Sequence, residues 1–513
     1  MSSSPKVVML VANGVVGDSR VQKIAWSMAA AGYDVTLVGR ALGDAGQRYK
    51  LGSADVVLVP VPKTVSAYEG ARLRGGARAK RLRPGYRDAR AGLAERDVAS
   101  GRLCASASAQ VRHWLATRPA TDNLVASLGR GPVGGAAHKV VGSTLGLVDQ
   151  YGGWRWFNPW FADLELTLAP VVAELEPDLI HAHDFHMVGI GARLAATLST
   201  AERPVRWIYD AHEYLRGIEV PSSTDVRLRM RRRMLIGVER EYIGRADAVL
   251  TVSEGIATKL ANDHRLSRRP RVILNAPVIK RSITQNSDEG PGRSLRGDCA
   301  LAEDVPLLIY SGGMSPRRGV STAIEALVEL PGAHLALIAR EDDPDVAALR
   351  QRATDCAVAD RLHVVPYVPV DQVVPYISSA TIGLIPILHL PNHELSLITK
   401  YFEYLHAALP IVTSDVREMA AETRRLGVGE VFIAGDATSL AAAVRRVLDS
   451  PATYRAVYQG IDDPRPASSW AGQAAKLDAL YRQVLGREPG AVRVAGELEL
   501  VPVSESEQPA PAR

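Results

Sequence analysis

Cysteine is scarce in this chain: three residues in 513, Cys104, Cys299 and Cys356, far apart and without a CxxC or Cys/His spacing. This argues against a disulfide framework or a zinc site and suits a reducing compartment. Long apolar runs are also missing, none approaching the roughly 18 residues of a membrane-spanning helix. The opening MSSSPKVVMLVANG passes straight into a strand pattern without the apolar core of a signal peptide, so a cytoplasmic location is expected. Aromatic residues make up only 5% and do not interleave with basic residues as a base-stacking platform requires, so no nucleic-acid partner is expected.

The net charge of +5 is only mildly basic, and its distribution matters more. Between Arg72 and Arg96 nine Lys or Arg residues face two acidic ones, and Arg227–Met234 alternates basic with apolar residues. Both clusters suit anionic lipid headgroups or an acidic acceptor, and both read equally well as solvated helix faces. Peripheral contact with an anionic membrane, at its inner face, therefore stays an open expectation.

What the chain has in quantity is short apolar runs alternating with amphipathic segments. Lys6–Ala12 reads as a strand, Asp18–Gly32 as a helix and Asp34–Val38 as a strand, a βαβ start, with a further strand over Leu51–Pro62. From about Ser66 to Tyr151 the composition turns rich in Arg, Ala and Gly, which reads as a largely helical insertion. Tyr151–Trp160 gathers aromatics, read as a hydrophobic plug rather than a sugar-stacking surface. Strands resume at Asp178–His183, Val205–Asp210, Ala248–Val252 and Val272–Leu274.

The polar stretch 280–304 reads as a linker and variable loop. A second series then runs through Pro306–Ser311, Ala333–Ile338, Leu362–Val365, Ile382–Ile387 and Ile411–Thr413. Trp470–Leu485 reads as an amphipathic helix with Trp470, Ala474, Leu477 and Tyr481 on one side, and the tail 490–513 as disordered. Two such series imply an α/β protein of two doubly wound domains, with ligands at the strand carboxyl ends in a cleft between them.

The stretch from Ile382 to Asp415 carries the clearest chemistry. It reads as strand, polar loop, helix opening near Thr399, then strand. In a parallel sheet this puts the helix N-terminus, with its unpaired N–H groups, at the carboxyl edge, where an anion is favoured. Lys400 adds a full positive charge in the first turn, and Glu403, one turn on, can accept hydrogen bonds from sugar hydroxyls. Together they suggest a nucleotide-diphosphate pocket; an ordinary α/β unit with a charged helix start is the plainer reading. Asp343-Pro-Asp345 reads as a loop after a strand rather than a metal-binding pair, and no metal is assigned.

Seven segments in order, GVVGDSRVQKIAWSMAAAGYDVTLV, PDLIHAHD, YDAHEY, ADAVLTVSEGIA, VILNAP, YSGGMSPRRGV and ITKYFEYLHAALPIVTSD, resemble the glycosyltransferase family 4 group. The resemblance spans nearly the whole chain outside the 66–151 insertion, the linker and the tail. It implies the GT-B fold: an acceptor-side Rossmann-like domain over 1–279, a nucleotide-sugar domain over 305–464, and a helix within 465–489 packing back on the first domain. It also implies a retaining, metal-independent hexosyltransferase with no cofactor beyond its co-substrate, a nucleotide-diphosphate sugar. The acceptor would be a glycan, lipid or small molecule.

By position in the family motifs, Arg318 and Lys400 would neutralise the donor diphosphate with the amides around Ile398 and Thr399, and Glu403 would hold the ribose. Gly14 and Gly17 would face the donor phosphate, His183 would be the active-site histidine, and Asp18, His212 and Glu213 would lie on the acceptor side. His181 is expected in a structural role.

Two departures stand out. The family's first glutamate, eight positions before Glu403, is Leu395 here, with Glu394 one position off. A frequent arginine is Gly313, with Arg317 as a substitute. Two further readings stay open, a nucleotide-sugar epimerase and a non-catalytic sugar-nucleotide-binding scaffold.

Overall fold

The computed structural model of the protein describes residues 4–74, 77–99, 159–219, 226–279, 293–369 and 372–486. Most of the 66–151 insertion, most of the aromatic stretch 151–160 and the tail 490–513 lie outside the described residues. Contacts divide the chain into two units. One comprises residues 1–251, 258–271 and 478 onward; the other comprises 252–257 and 272–477.

The first unit is built on an eight-stranded sheet: β1 Lys6–Leu10, β2 Asp34–Arg40, β3 Gln47–Leu51, β4 Ala54–Val59, β5 Leu179–His183, β6 Arg206–Ala211, β7 Ala248–Thr251 and β8 Arg271–Val272, in the order β3-β4-β2-β1-β5-β6-β7-β8. Strand β3 is antiparallel to β4, and the pairs from β4 through β7 are parallel. Val7–Leu10 and Leu179–His183 are buried along their length, as covered parallel strands require; the first reads as an unbroken apolar run, while the second carries two buried histidines. The single strand expected over Leu51–Pro62 is instead the second arm of a hairpin turning at Gly52 and Ser53. Of the expected insertion, the structure describes helices Thr64–Arg74 and Ala77–Ala99, and Pro159–Leu175 follows beyond it.

The second unit is a six-stranded parallel sheet: β9 Leu307–Ser311, β10 His334–Ile338, β11 Leu362–Val365, β12 Ile382–Ile385, β13 Ile411–Ser414 and β14 Gly429–Phe432, in the order β11-β10-β9-β12-β13-β14. Period-2 alternation sorts its side chains into two cores. Leu308 and Tyr310 join Ile324, Leu440 and Val444 on one face, while Leu307 and Ile309 join Tyr401, Phe402 and Leu405 on the other. The result is a helix–sheet–helix sandwich.

The expected linker 280–304 needs correction where it is described. Helix Leu295–Asp298 buries Leu295, and the buried Arg296 donates to the carbonyls of Ser379, Ala302 and Val305, so this segment is integral to the second unit. Apart from residues 252–257, that unit runs from Val272 rather than from after 279.

The helix Trp470–Leu485 divides its attachments. Gln473 accepts from Leu274 N–H (3.0 Å) in the second unit. Asp478 accepts from Tyr33 (2.8 Å), and Tyr481 packs edge-on against Tyr33 in the first.

Among the parallel strands of each sheet the order reverses once, between β1 and β5 in the first and between β9 and β12 in the second. Ligands of doubly wound sheets bind at such switch points, outside the strand carboxyl ends.

Candidate active site

At the first switch point, the loop after β1 runs from Val11 to Asp18. Asn13 is its brace: Oδ1 accepts from Val15 N–H and Nδ2 donates to Asp18, both at 2.8 Å. Asp18, expected on the acceptor side, caps helix Ser19–Ala30 through Val21 N–H. Gly17 has φ +78, the left-handed region that glycine tolerates. Val15 is held at φ +69 while fully buried, a conformation a β-branched residue adopts only under constraint. Gly14 lies in the same loop, where a Cβ would meet the Leu42 side chain at 3.1 Å.

Strands β5 and β6 supply the densest polar cluster. In-register pairing sets His183 beside Asp210, and the period of two adds His181 and His212 to the same face. His181 and His183 stack at 4.1 Å. His181 Nδ1 lies 2.6 Å from the Tyr481 hydroxyl, which ties it into the core. Asp210 is held by Arg20 through two bonds, Nε–Oδ2 at 3.0 Å and Nη2–Oδ1 at 2.9 Å. Burial alone would raise the Asp210 carboxyl, but the Arg20 charge, with His212 and His183, keeps it well below the usual carboxylate range. Burial holds His181 well below the ordinary histidine value, and His183 below it. For His212 burial also acts downward, yet the Asp210 charge wins and raises it.

These positions alter the expected division of labour. His183 is 0% exposed, so its side chain offers no open surface in this structure. The His212 side chain is 19% exposed and forms the accessible edge of the cluster. Glu213 follows it at the surface. Asp184, at φ +64, turns the chain from β5 into helix Asp184–Leu198, and its carboxylate lies 3.2 Å from His186. Trp160 and Phe161 meet His186 edge-on. Nitrogens of His181 and His183 and an Asp210 oxygen lie close enough to hold a cation, but Arg20 already occupies both carboxylate oxygens.

In the second unit the loop after β9 carries the Pro-Arg-Arg-Gly turn. Arg318 is half-buried beside Tyr310, and Arg317 is exposed. Gly319, at φ +66, closes the turn; a Cβ there would lie 2.0 Å from the Pro386 carbonyl oxygen, so no other residue fits. Leu388 N–H donates to the Arg317 carbonyl (3.1 Å) and joins the turn to the chain leaving β12. A Cβ at Gly313 would meet nothing within 4 Å.

Beyond β12, helix Thr399–His406 opens after Ile398 with no side-chain cap. Thr399 accepts from Asn275 (3.1 Å), and Lys400 Nζ lies 3.4 and 3.0 Å from the two Glu403 carboxylate oxygens. Tyr404 seats the helix: its buried hydroxyl accepts from Ser311 N–H (3.0 Å) and donates to the Ile309 carbonyl (3.2 Å). Its ring lies so close to Gly383 that a Cβ there would be 2.5 Å from it. Arg318 and the Lys400–Glu403 pair thus leave neighbouring strands at one sheet edge.

Glu394 has other partners in this structure. It bonds His389 and accepts from Arg417 N–H (2.9 Å), while Leu395 is buried with its carbonyl bonded by Ser253. His389 also pairs with Asp415 (2.9 Å), and its pKa is raised, first by Glu394. Asp343 caps helix Pro344–Asp355.

Sequence reasoning missed Arg20 and Asp210. The signal was the repeated pattern His-Ala-His and Asp-Ala-His at the ends of two strands.

Residues 305–450 match the family model described as glycosyl transferases group 1, and residues 125–277 match the one described as Glycosyltransferase Family 4. The D-inositol 3-phosphate glycosyltransferase of Acidothermus cellulolyticus is 22% identical over 264 residues, 48% of this chain and 56% of the relative. The chain spans about half the length of the curated relatives it matches. Among solved structures, the sucrose-phosphate synthase from Thermosynechococcus elongatus aligns with a TM-score of 0.59 at 15% identity, covering 94% of this chain and 99% of that one. Anabaena HepE, solved in complex with UDP, aligns at 0.53 with 13% identity, covering 93% and 100%. These likenesses identify the two-domain GT-B fold. With the two family models matching successive segments that together make up more than half of its length, the chain belongs to the glycosyltransferase family 4 group.

Proposed function

We propose that the protein is a retaining, metal-independent glycosyltransferase that moves a sugar from a nucleotide-diphosphate donor to an acceptor hydroxyl. The observation that carries this reading is the uncapped N-terminus of helix Thr399–His406 at the carboxyl end of a parallel sheet, with Lys400 and Glu403 in its opening turns. Arg318, from the neighbouring strand's loop, makes no side-chain hydrogen bond or ion pair among the described residues. The UDP bound by HepE, a structural relative, points to a uridine nucleotide as the first donor class to try.

In the proposed reaction the bond from the anomeric carbon to the donor phosphate oxygen breaks through an oxocarbenium-like state. Arg318, Lys400 and the helix amides around Ile398 and Thr399 take up the charge that develops on the leaving diphosphate, the task otherwise given to a metal. Lys400 then exchanges its bond to Glu403 for phosphate, which frees Glu403 for ribose hydroxyls. Gly14 and Gly17 let backbone approach the donor phosphate. The acceptor oxygen bonds the anomeric carbon on the face the diphosphate leaves, so configuration is retained, and its proton passes to the released diphosphate. His212 meets the substrates from the edge of its cluster, flanked by Asp18 and Glu213, with His183 supporting it from behind.

A thermal-shift panel of nucleoside diphosphates and nucleotide sugars tests this without knowledge of the acceptor. One nucleotide class should stabilise the wild type selectively, and Lys400→Ala and Glu403→Ala should both lose that response. A wild type indifferent to every member of the panel would sink the reading.

We also propose that the basic helix Val226–Tyr242 touches an anionic membrane during transfer to a lipid-linked or membrane-proximal acceptor. Arg229, Arg231 and Arg233 are exposed beside the exposed Leu228. Replacing Arg229, Arg231 and Arg233 by glutamine should reduce partitioning onto vesicles containing phosphatidylserine; unchanged partitioning would count against it.

A further inference from the structure

Arg20 and Asp210 belong to separate motifs, Asp-Ser-Arg-Val and Tyr-Asp-Ala-His-Glu, and meet in the interior of the first unit. Both side chains are buried, and the two bonds between them fix the plane of the carboxylate. Three imidazoles stand around its Oδ2: His183 Nδ1 at 3.5 Å, His212 Nε2 at 3.6 Å and His181 Nε2 at 3.8 Å. All three nitrogens are buried without a hydrogen-bond partner. The rings are not equivalent. His181 is committed through Nδ1 to Tyr481, and His183 has no exposed surface. His212 alone reaches the exterior, with Nε2 buried against the carboxylate and Nδ1 not buried.

We propose that Asp210, locked by Arg20, is a positioning residue that accepts a hydrogen bond from Nε2–H of His212 and so turns Nδ1 of that ring towards a bound sugar hydroxyl. This rests on the glycosyltransferase reading, and it assigns the Asp-Ser-Arg-Val motif a task inside the site: to hold the carboxylate that orients the histidine. The distances are slightly long for hydrogen bonds, as catalytic contacts often are before substrate closes on them. His183, with His181 stacked against it, backs the cluster from inside. The charged and titratable groups bearing on His212 and its neighbours are Arg20, Asp210, Asp184, Asp18, His186, Glu213, His181, His183 and Tyr481. Of these, Asp210 raises His212 most, so the ring holds a proton at higher pH than an ordinary histidine does. A metal held by His181, His183 and Asp210 is the competing use of the same atoms. It would have to share a carboxylate whose oxygens already accept from a guanidinium.

The test is long-range proton–nitrogen NMR of the full chain with labelled histidine, for wild type, Asp210→Asn and the Arg20→Gln/Asp210→Asn pair, with His212→Gln assigning the ring. In wild type His212 should carry its proton on Nε2 when neutral and titrate above an ordinary histidine. In both Asp210 variants the midpoint should move down and the two tautomers should mix. The double variant leaves no buried charge unpaired, so it carries the test if Asp210→Asn fails to fold. A His212 spectrum unchanged by loss of the carboxylate, or a neutral wild-type ring protonated on Nδ1, would overturn the proposal. So would stoichiometric zinc in the purified wild type that is lost in the variants. Stabilisation by nucleoside diphosphate, measured on the same wild-type sample, tests the donor reading separately. Its absence would remove that reading, while the tautomer and midpoint of His212 would still decide the role of Asp210.

Discussion

At the scale of single residues, the Arg20–Asp210 pair holds two charges where water does not reach. Such a pair adds little net stability over apolar residues of the same shape, but breaking it strands a buried charge. Arg20→Ala should therefore lower the unfolding free energy by about 3–5 kcal/mol, measured by denaturant titration. The neighbouring histidines make a prediction about pH. His181 is held well below its unfolded value of roughly 6.5, so its contribution is fully present above that pH and lost as pH falls towards the folded value. His212, shifted upward, acts in the opposite sense, its contribution being present at low pH and lost as pH rises through its folded value. Comparing the pH dependence of the urea midpoint in wild type and His181→Gln isolates the first effect: the variant should lose less stability on acidification. This arrangement was half legible. Alternation put His181 and His183 on one face, but which strand lies beside theirs is a fact of sheet order. Asp210 therefore stayed hidden in an apolar run.

At the scale of elements, the Pro-Arg-Arg-Gly turn depends on one backbone approach. Gly319→Ala would drive a Cβ into the Pro386 carbonyl and force a left-handed φ on alanine. It should cost at least about 1 kcal/mol and displace Arg318, so nucleoside-diphosphate stabilisation should weaken more than the melting temperature falls; equal losses would count against a role for the turn. Long buried strands and amphipathic helices were readable because their period is set by burial, and the helix Trp470–Leu485 is the clearest case. Strand β14 was not, since Gly429–Val431 are only half-buried and give no apolar run. Nor was the hairpin of β3 and β4, whose first arm is mostly exposed. The commitment of Glu394 to His389 and Arg417 could not be read either, because it depends on a loop path that spacing does not encode.

At the scale of the whole molecule, two doubly wound sheets were legible from two strand–helix series, and the switch points explain how motifs far apart in the chain come together within each unit. The boundary was less legible: the polar composition of 280–304 suggested a linker, while Leu295 and Arg296 make its described part structural.

The helix Trp470–Leu485 has a consequence for modularity. Because Tyr481 reaches the buried His181 from a segment that arrives after the entire second unit, the first unit is not contiguous in the gene. A polypeptide ending at residue 279 would lack the hydroxyl that His181 meets and the aromatic partner of Tyr33. It should melt at lower temperature than the same unit in the full chain, and a separate peptide covering Trp470–Leu485 should raise that temperature in a dose-dependent way. Any shuffling of such units between relatives would then have to exchange the helix Trp470–Leu485 together with the opening half, so two segments on either side of the second unit are inherited as one part.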